Sequence, residues 1–121
     1  MTGSSRQDVR DFLQEIKGII TSNPGWRTWD IVGREKNKHF IAELGFNYSD
    51  VRNTILELSV GDYCEGPVQD LDQPGYFWVF GKVMAGKDAY IKLKVAGIGN
   101  LKVVRVVSFH EANQPLCYPF K

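Results

Sequence analysis

Residues 76–111 read YFWVFGKVMAGKDAYIKLKVAGIGNLKVVRVVSFHE, and the reading of this stretch decides the fold. Two turn signals, Ala85-Gly86-Lys87-Asp88 and Gly97-Ile98-Gly99-Asn100, divide it into three runs rich in β-branched and aromatic residues. In residues 89–95, Tyr90, Lys92 and Lys94 alternate with Ile91, Leu93 and Val95, so one face of the strand is polar and the other apolar. Residues 101–111 are apolar on both faces until Ser108 and His110, which suits a central strand. Consecutive hairpins alone would instead give a meander with residues 89–95 in the middle.

Working outward, residues 60–75 (VGDYCEGPVQDLDQPG) break the pattern with glycine, proline and four carboxylates, and read as a long loop. The N-terminal half is helical by period. Ser4 or Ser5 caps a first helix, with Gln7 or Asp8 as reciprocal partner, and Val9, Phe12, Leu13, Ile16 and Ile19 or Ile20 follow at helical spacing. Asn23-Pro24-Gly25 stops it. Residues 26–32 (WRTWDIV) are extended, residues 36–44 form a short helix ended by Gly45, and Ser49 or Asp50 caps a third with Val51, Ile55 and Leu58 on one face. The tail ANQPLCYPFK, with two prolines, wraps across the body. Helices first and strands later predict one α+β domain over residues 1–121, with N-terminal helices on an antiparallel sheet of about three strands.

Composition bounds the class. The 121 residues are 43% hydrophobic and 24% charged, the profile of a globular chain. No apolar run approaches the roughly 20 residues of a membrane span, and the polar start MTGSSRQDVRDF lacks a signal peptide's apolar core, so a cytoplasmic protein is expected. Cys64 and Cys117 have no metal-ligand spacing, and free thiols are expected of both. The net charge is +1, but residues 76–121 carry seven basic residues against Asp88 and Glu111, while the first 75 hold eight basic and twelve acidic. Such asymmetry predicts a positive sheet beside an acidic helical layer, or simply uneven surface charge.

Several chemistries lack their motifs. GIGN lies between strands and leads into no helix, so it is a turn rather than a phosphate loop. No His/Cys metal cluster and no nucleophile elbow is present, and no cofactor is expected. RNA cleavage by the RNA's own 2′-hydroxyl needs only a base, an acid and cations to stabilise the phosphorane. Lys82, Tyr90, Lys92 and His110 are candidates for these roles. Tyr90 and Lys92 share a strand face, and His titrates near neutrality. Each residue also has a plain structural reading: a packed tyrosine, solubilising lysines, a solvated histidine. Lys82 depends on hairpin register. A two-residue loop at Gly86-Lys87 pairs it with Ile91 and turns it away from Tyr90; a three-residue loop from Ala85 to Lys87 pairs it with Tyr90.

The order GFNYSDVRNTILELSVGDY, FWVFGK, DAYIKLKV, VVSFHE resembles the MqsR family of type II toxins over residues 44–111, more than half the chain. The resemblance implies a RelE-like α+β fold and a messenger RNA interferase that cuts without a metal. It also implies neutralisation by an antitoxin with a zinc-binding N-terminal domain and a helix-turn-helix. By position, Tyr90 matches the family's strand tyrosine. His110 and Glu65 stand where the founding member has lysines, and Val79 where it has a glutamine. Histidine can serve as acid or base, and Glu65 can act as base but cannot stabilise a phosphorane. Lys82 is then the compensating cation, with Lys94 and Arg105 as further RNA contacts. Trp78 stacks on a base or packs in the core.

Overall fold

A computed structural model describes residues 3–22 and 27–121. Its elements are α1 (Arg6–Thr21), β1 (Trp29–Ile31), α2 (Glu35–Glu43), α3 (Tyr48–Leu56), a 3-10 turn (Val60–Asp62), β2 (Tyr63–Gln69), β3 (Tyr76–Met84), β4 (Lys87–Ile98) and β5 (Leu101–Glu111). The expected stop at Asn23-Pro24-Gly25, and Trp26 of the expected extended stretch, lie outside the described residues.

The class is α+β, as expected, but the sheet is larger. Among the described residues five strands run in the order β1-β5-β4-β3-β2, and β1 lies parallel to β5, so the sheet is mixed. Both readings of the last two strands hold in part: β4 is in the middle, and β5 is also interior because β1 covers its outer edge. The second correction concerns residues 60–75. Rather than one loop, they supply the 3-10 turn and the edge strand β2. An edge strand tolerates Pro67, and two register shifts flank Glu65. Gly66 has φ +125°, and a Cβ there would lie 2.8 Å from the Phe77 carbonyl oxygen, so the close approach of β2 to β3 requires glycine.

The helices start where side chains can satisfy their free amides. Ser5 Oγ accepts from the Asp8 amide at 3.1 Å, and Asp8 accepts from the Ser5 amide at 3.0 Å. At α3 the cap is Asn47, with Asp50 as its reciprocal partner rather than the cap itself. Val9, Phe12, Leu13, Ile16 and Ile20 of α1 are buried, each contributing about 1.5–3 kcal/mol. Phe12 stacks on Trp78 at 4.4 Å, and Phe40 of α2 meets Phe109 of β5 at 6.0 Å. These contacts form one core on one face of the sheet, with Phe80, Ile91, Leu93, Val104 and Val106.

The opposite face is left for other uses. The C-terminal tail crosses it, as expected. Leu116 and Tyr118 sit where a Cβ on Gly81 would be, 2.5 Å from each. Phe120 then stacks on Tyr63 at 5.5 Å, with the Arg6 guanidinium over its ring.

Candidate functional site

Two cross-strand rows build a cleft on the face away from the core. Strand pairing aligns Glu65, Val79, Lys92 and Ser108 across β2, β3, β4 and β5. The next row aligns Gly81, Tyr90 and His110. Cross-strand partners project from the same face. With Arg34 and Lys36 at the start of α2 and residues 112–117 of the tail, they enclose about 590 Å³.

A β-bulge makes this possible. Val104 and Val106 face the core, so strict alternation would send Ser108 and His110 there as well. The register shifts between Lys92 and Leu93: Leu93 pairs with Val106, and Lys92 pairs with Ser108. Val107 is therefore the extra residue, and the bulge re-aims everything after it. Ser108 and His110 turn to the cleft, while Phe109 enters the core. Asn37, fully buried in α2, holds the bulged segment. Its amide nitrogen donates to the Val107 and Val32 carbonyls at 3.1 and 3.0 Å, and its oxygen accepts from the Phe109 amide at 2.9 Å.

Tyr90 and His110 are direct partners, their rings stacked with centroids 5.4 Å apart and planes 22° from parallel. Burial, then the Glu65 carboxylate and Cys64, push the Tyr90 phenol above its ordinary pKa. It stays protonated at neutral pH and can donate a proton or a hydrogen bond. His110 Nδ1 lies 2.9 Å from the Glu111 carbonyl oxygen. A carbonyl only accepts, so Nδ1 carries the hydrogen and Nε2 of the neutral ring keeps a free lone pair. Lys92 Nζ lies 4.2 Å above the Phe77 ring centroid, and among the described residues it has no carboxylate partner. Cys64 also lines the cleft, but burial and then Glu65 push its thiol up to about 12. It is no nucleophile at neutral pH. Both cysteines are free thiols, Cys117 exposed.

Of the five candidate catalytic residues, Tyr90, Lys92, His110 and Glu65 thus meet in one cleft. Lys82 does not. The hairpin loop is Ala85-Gly86, both with positive φ, as a two-residue type I′ turn needs. Lys82 then pairs with Ala89, a register different from both expected ones. It points to the helical face, 3.8 Å from Asp62.

The three candidate RNA contacts are engaged elsewhere. Lys94 shares the strand face of Tyr90 but is buried, with Nζ 2.7 Å from Asp70 and 3.0 Å from the Pro74 carbonyl. Arg105 makes two bonds to Asp30, at 3.2 and 3.3 Å. Trp78 packs against Phe12 from the core face.

Sequence reasoning missed Ser108, Arg34, Lys36 and Asn37. Ser108 was legible only as part of VVSFHE, since its face depends on the bulge. Arg34 and Lys36 carry no signal beyond charge. Among the described residues, no three His, Cys, Asp or Glu side chains converge to hold a metal ion, and no helix is long and apolar enough to cross a membrane. Comparison with family models, curated proteins and solved structures finds no match to this chain.

Proposed function

We propose that this chain is a cytoplasmic endoribonuclease toxin of the MqsR kind, cutting messenger RNA by attack of the 2′-hydroxyl and neutralised by a cognate antitoxin. The observation that carries this reading is the stacked Tyr90–His110 pair beside Lys92 and Glu65 in one cleft. His110 Nε2 takes the 2′-hydroxyl proton as the 2′-oxygen attacks phosphorus. The bond to the 5′-oxygen breaks, and the protonated Tyr90 phenol gives that oxygen its proton. Lys92 stabilises the charge on the phosphorane. Glu65, at the cleft rim, orients the sugar or shares the role of base. The products are a 2′,3′-cyclic phosphate and a 5′-hydroxyl, formed without a metal. The expected antitoxin is zinc-binding and carries a helix-turn-helix.

Glu65 also favours a second reading. A carboxylate among groups that must hold phosphate suits a non-catalytic module that binds RNA or a protein segment. One experiment separates the two. Purified protein is incubated with a transcript in chelator, and the fragment ends are identified by mass spectrometry. The toxin reading expects cyclic phosphate ends, with kcat/KM lowered about 10²–10⁴-fold in Tyr90→Phe and in His110→Ala. A requirement for added Mg²⁺ overturns the mechanism. Full activity in both variants overturns the roles. Salt-sensitive binding with no cleavage supports the second reading.

A further inference from the structure

The N-terminus of α2 faces the same cleft and is open. Its capping residue, Arg34, makes no side-chain cap hydrogen bond. The backbone bond from Lys38 to Arg34 is the first of the helix. The amides of Glu35, Lys36 and Asn37 therefore have no acceptor among the described residues. Open amides at a helix start carry partial positive charge and favour an anion. The Arg34 and Lys36 side chains line the cleft beside them and add two full charges. Glu35 stands away from this focus, 94% exposed and 3.9 Å from Lys38.

A separate observation points to a ligand there. Ser108 is only 2% exposed, lines the cleft, and its hydroxyl has no hydrogen-bond partner among the described residues. Its oxygen reaches the cleft surface, where a hydroxyl not engaged by the protein can donate to an oxyanion. It sits between Lys92, its cross-strand partner, and the α2 start, which Asn37 ties to residues 107 and 109.

We propose that Arg34, Lys36, the open α2 amides and Ser108 form a second phosphate subsite, which holds the phosphate next to the scissile one. The inference rests on the ribonuclease reading and specifies its substrate: a strand with at least two consecutive phosphates, one in reach of Tyr90, His110 and Lys92 and one at α2. Neither charge of the subsite comes from the basic sheet.

The test begins with inorganic phosphate titrated into ¹⁵N-labelled protein. The Glu35, Lys36 and Asn37 amide resonances are expected to shift saturably. Arg34→Gln/Lys36→Gln should weaken this binding about tenfold or more, the loss of charge-assisted hydrogen bonds. Ser108→Ala should weaken it less. With RNA, the double variant should raise KM about tenfold while kcat moves less than threefold. The log–log salt slope of binding should fall by about 1.4, or 0.7 per lost contact. Absence of saturable shifts at α2 overturns the subsite, whether or not RNA is cut. An equal loss in kcat rather than KM also overturns it. Phosphate binding at α2 in a protein that cuts no RNA supports the anion site while sinking the ribonuclease.

Discussion

Asn37→Ala tests whether one buried amide positions the cleft. Asn37 makes three hydrogen bonds, but they are unequal in consequence. The Val32 carbonyl also accepts from the Arg34 amide at 2.9 Å, so it keeps a partner when Asn37 is cut back. The Val107 carbonyl and the Phe109 amide lose theirs. Each buried orphan costs about 1–3 kcal/mol, so the loss is about 4 kcal/mol, a large share of the 5–15 kcal/mol typical of a domain. For a chain of this size that lowers Tm by about 15 °C. Urea unfolding followed by circular dichroism gives the free energy. Hydrogen exchange at the Phe109 amide gives the local effect, with protection lost in the variant well before global unfolding. Asn37→Asp keeps the acceptor for Phe109 but aims a buried carboxylate at two carbonyl oxygens, and should cost at least as much. A loss below about 1 kcal/mol in Asn37→Ala, with Phe109 still protected, would refute the argument.

Two further outcomes follow from the geometry. Lys94 first, then the Asp72 amide, hold the Asp70 carboxyl below its ordinary pKa. The stabilisation is therefore present above the unfolded value of about 4 and is lost as pH falls through the folded value. The Tm gap between the wild type and Asp70→Asn should be widest at neutral pH and close on acidification; a gap constant from pH 7 to pH 3 would contradict the ion pair. Gly81→Ala places a methyl 2.5 Å from Leu116 and from Tyr118, so the tail must lift or the core shift. The expected cost is about 1–3 kcal/mol, with faster proteolysis of residues 112–121, and an unchanged digestion pattern would show that the tail is not held there.

What the sequence could reveal tracks which forces are local. The start of α1 was legible because capping is decided within three residues, as at Ser5 and Asp8, whereas the cap of α3 fell on Asn47 rather than on Ser49 or Asp50. The Tyr90 and Lys92 face was legible because alternation within one strand is also local. β2 was not, since its pairing with β3 depends on a glycine approach and two register shifts that look like loop chemistry in sequence. The site suffered most at Val107. One extra residue decides whether Ser108 and His110 meet the core or the cleft, and the residue that satisfies the exposed backbone is Asn37, 70 positions away. No pattern within VVSFHE encodes that. Lys82 was open for the same reason: a turn with positive φ at Ala85, a residue that rarely adopts it, sets a register that neither expected loop gave and leaves Lys82 facing away from Tyr90, as the two-residue loop also would.

The charge asymmetry between the two parts of the chain acquires a different meaning from the fold. Lys82 meets Asp62, Lys87 meets Glu43, Lys94 meets Asp70, Lys102 meets Glu15 and Arg105 meets Asp30. Each pair joins a base after residue 76 to an acid before it. The excess is thus largely spent on matching the two segments to one another, and exposed pairs such as Lys102–Glu15 add little stability. A partner would meet Lys92 from the strands, and Arg34 and Lys36 from the helical part that by count is acidic. With a net charge of +1 the molecule has a weak long-range field. Recognition of an anion must then come from groups converging at short range. That requirement makes the bulge at Val107 and the open start of α2 more informative about function than any tally of lysines.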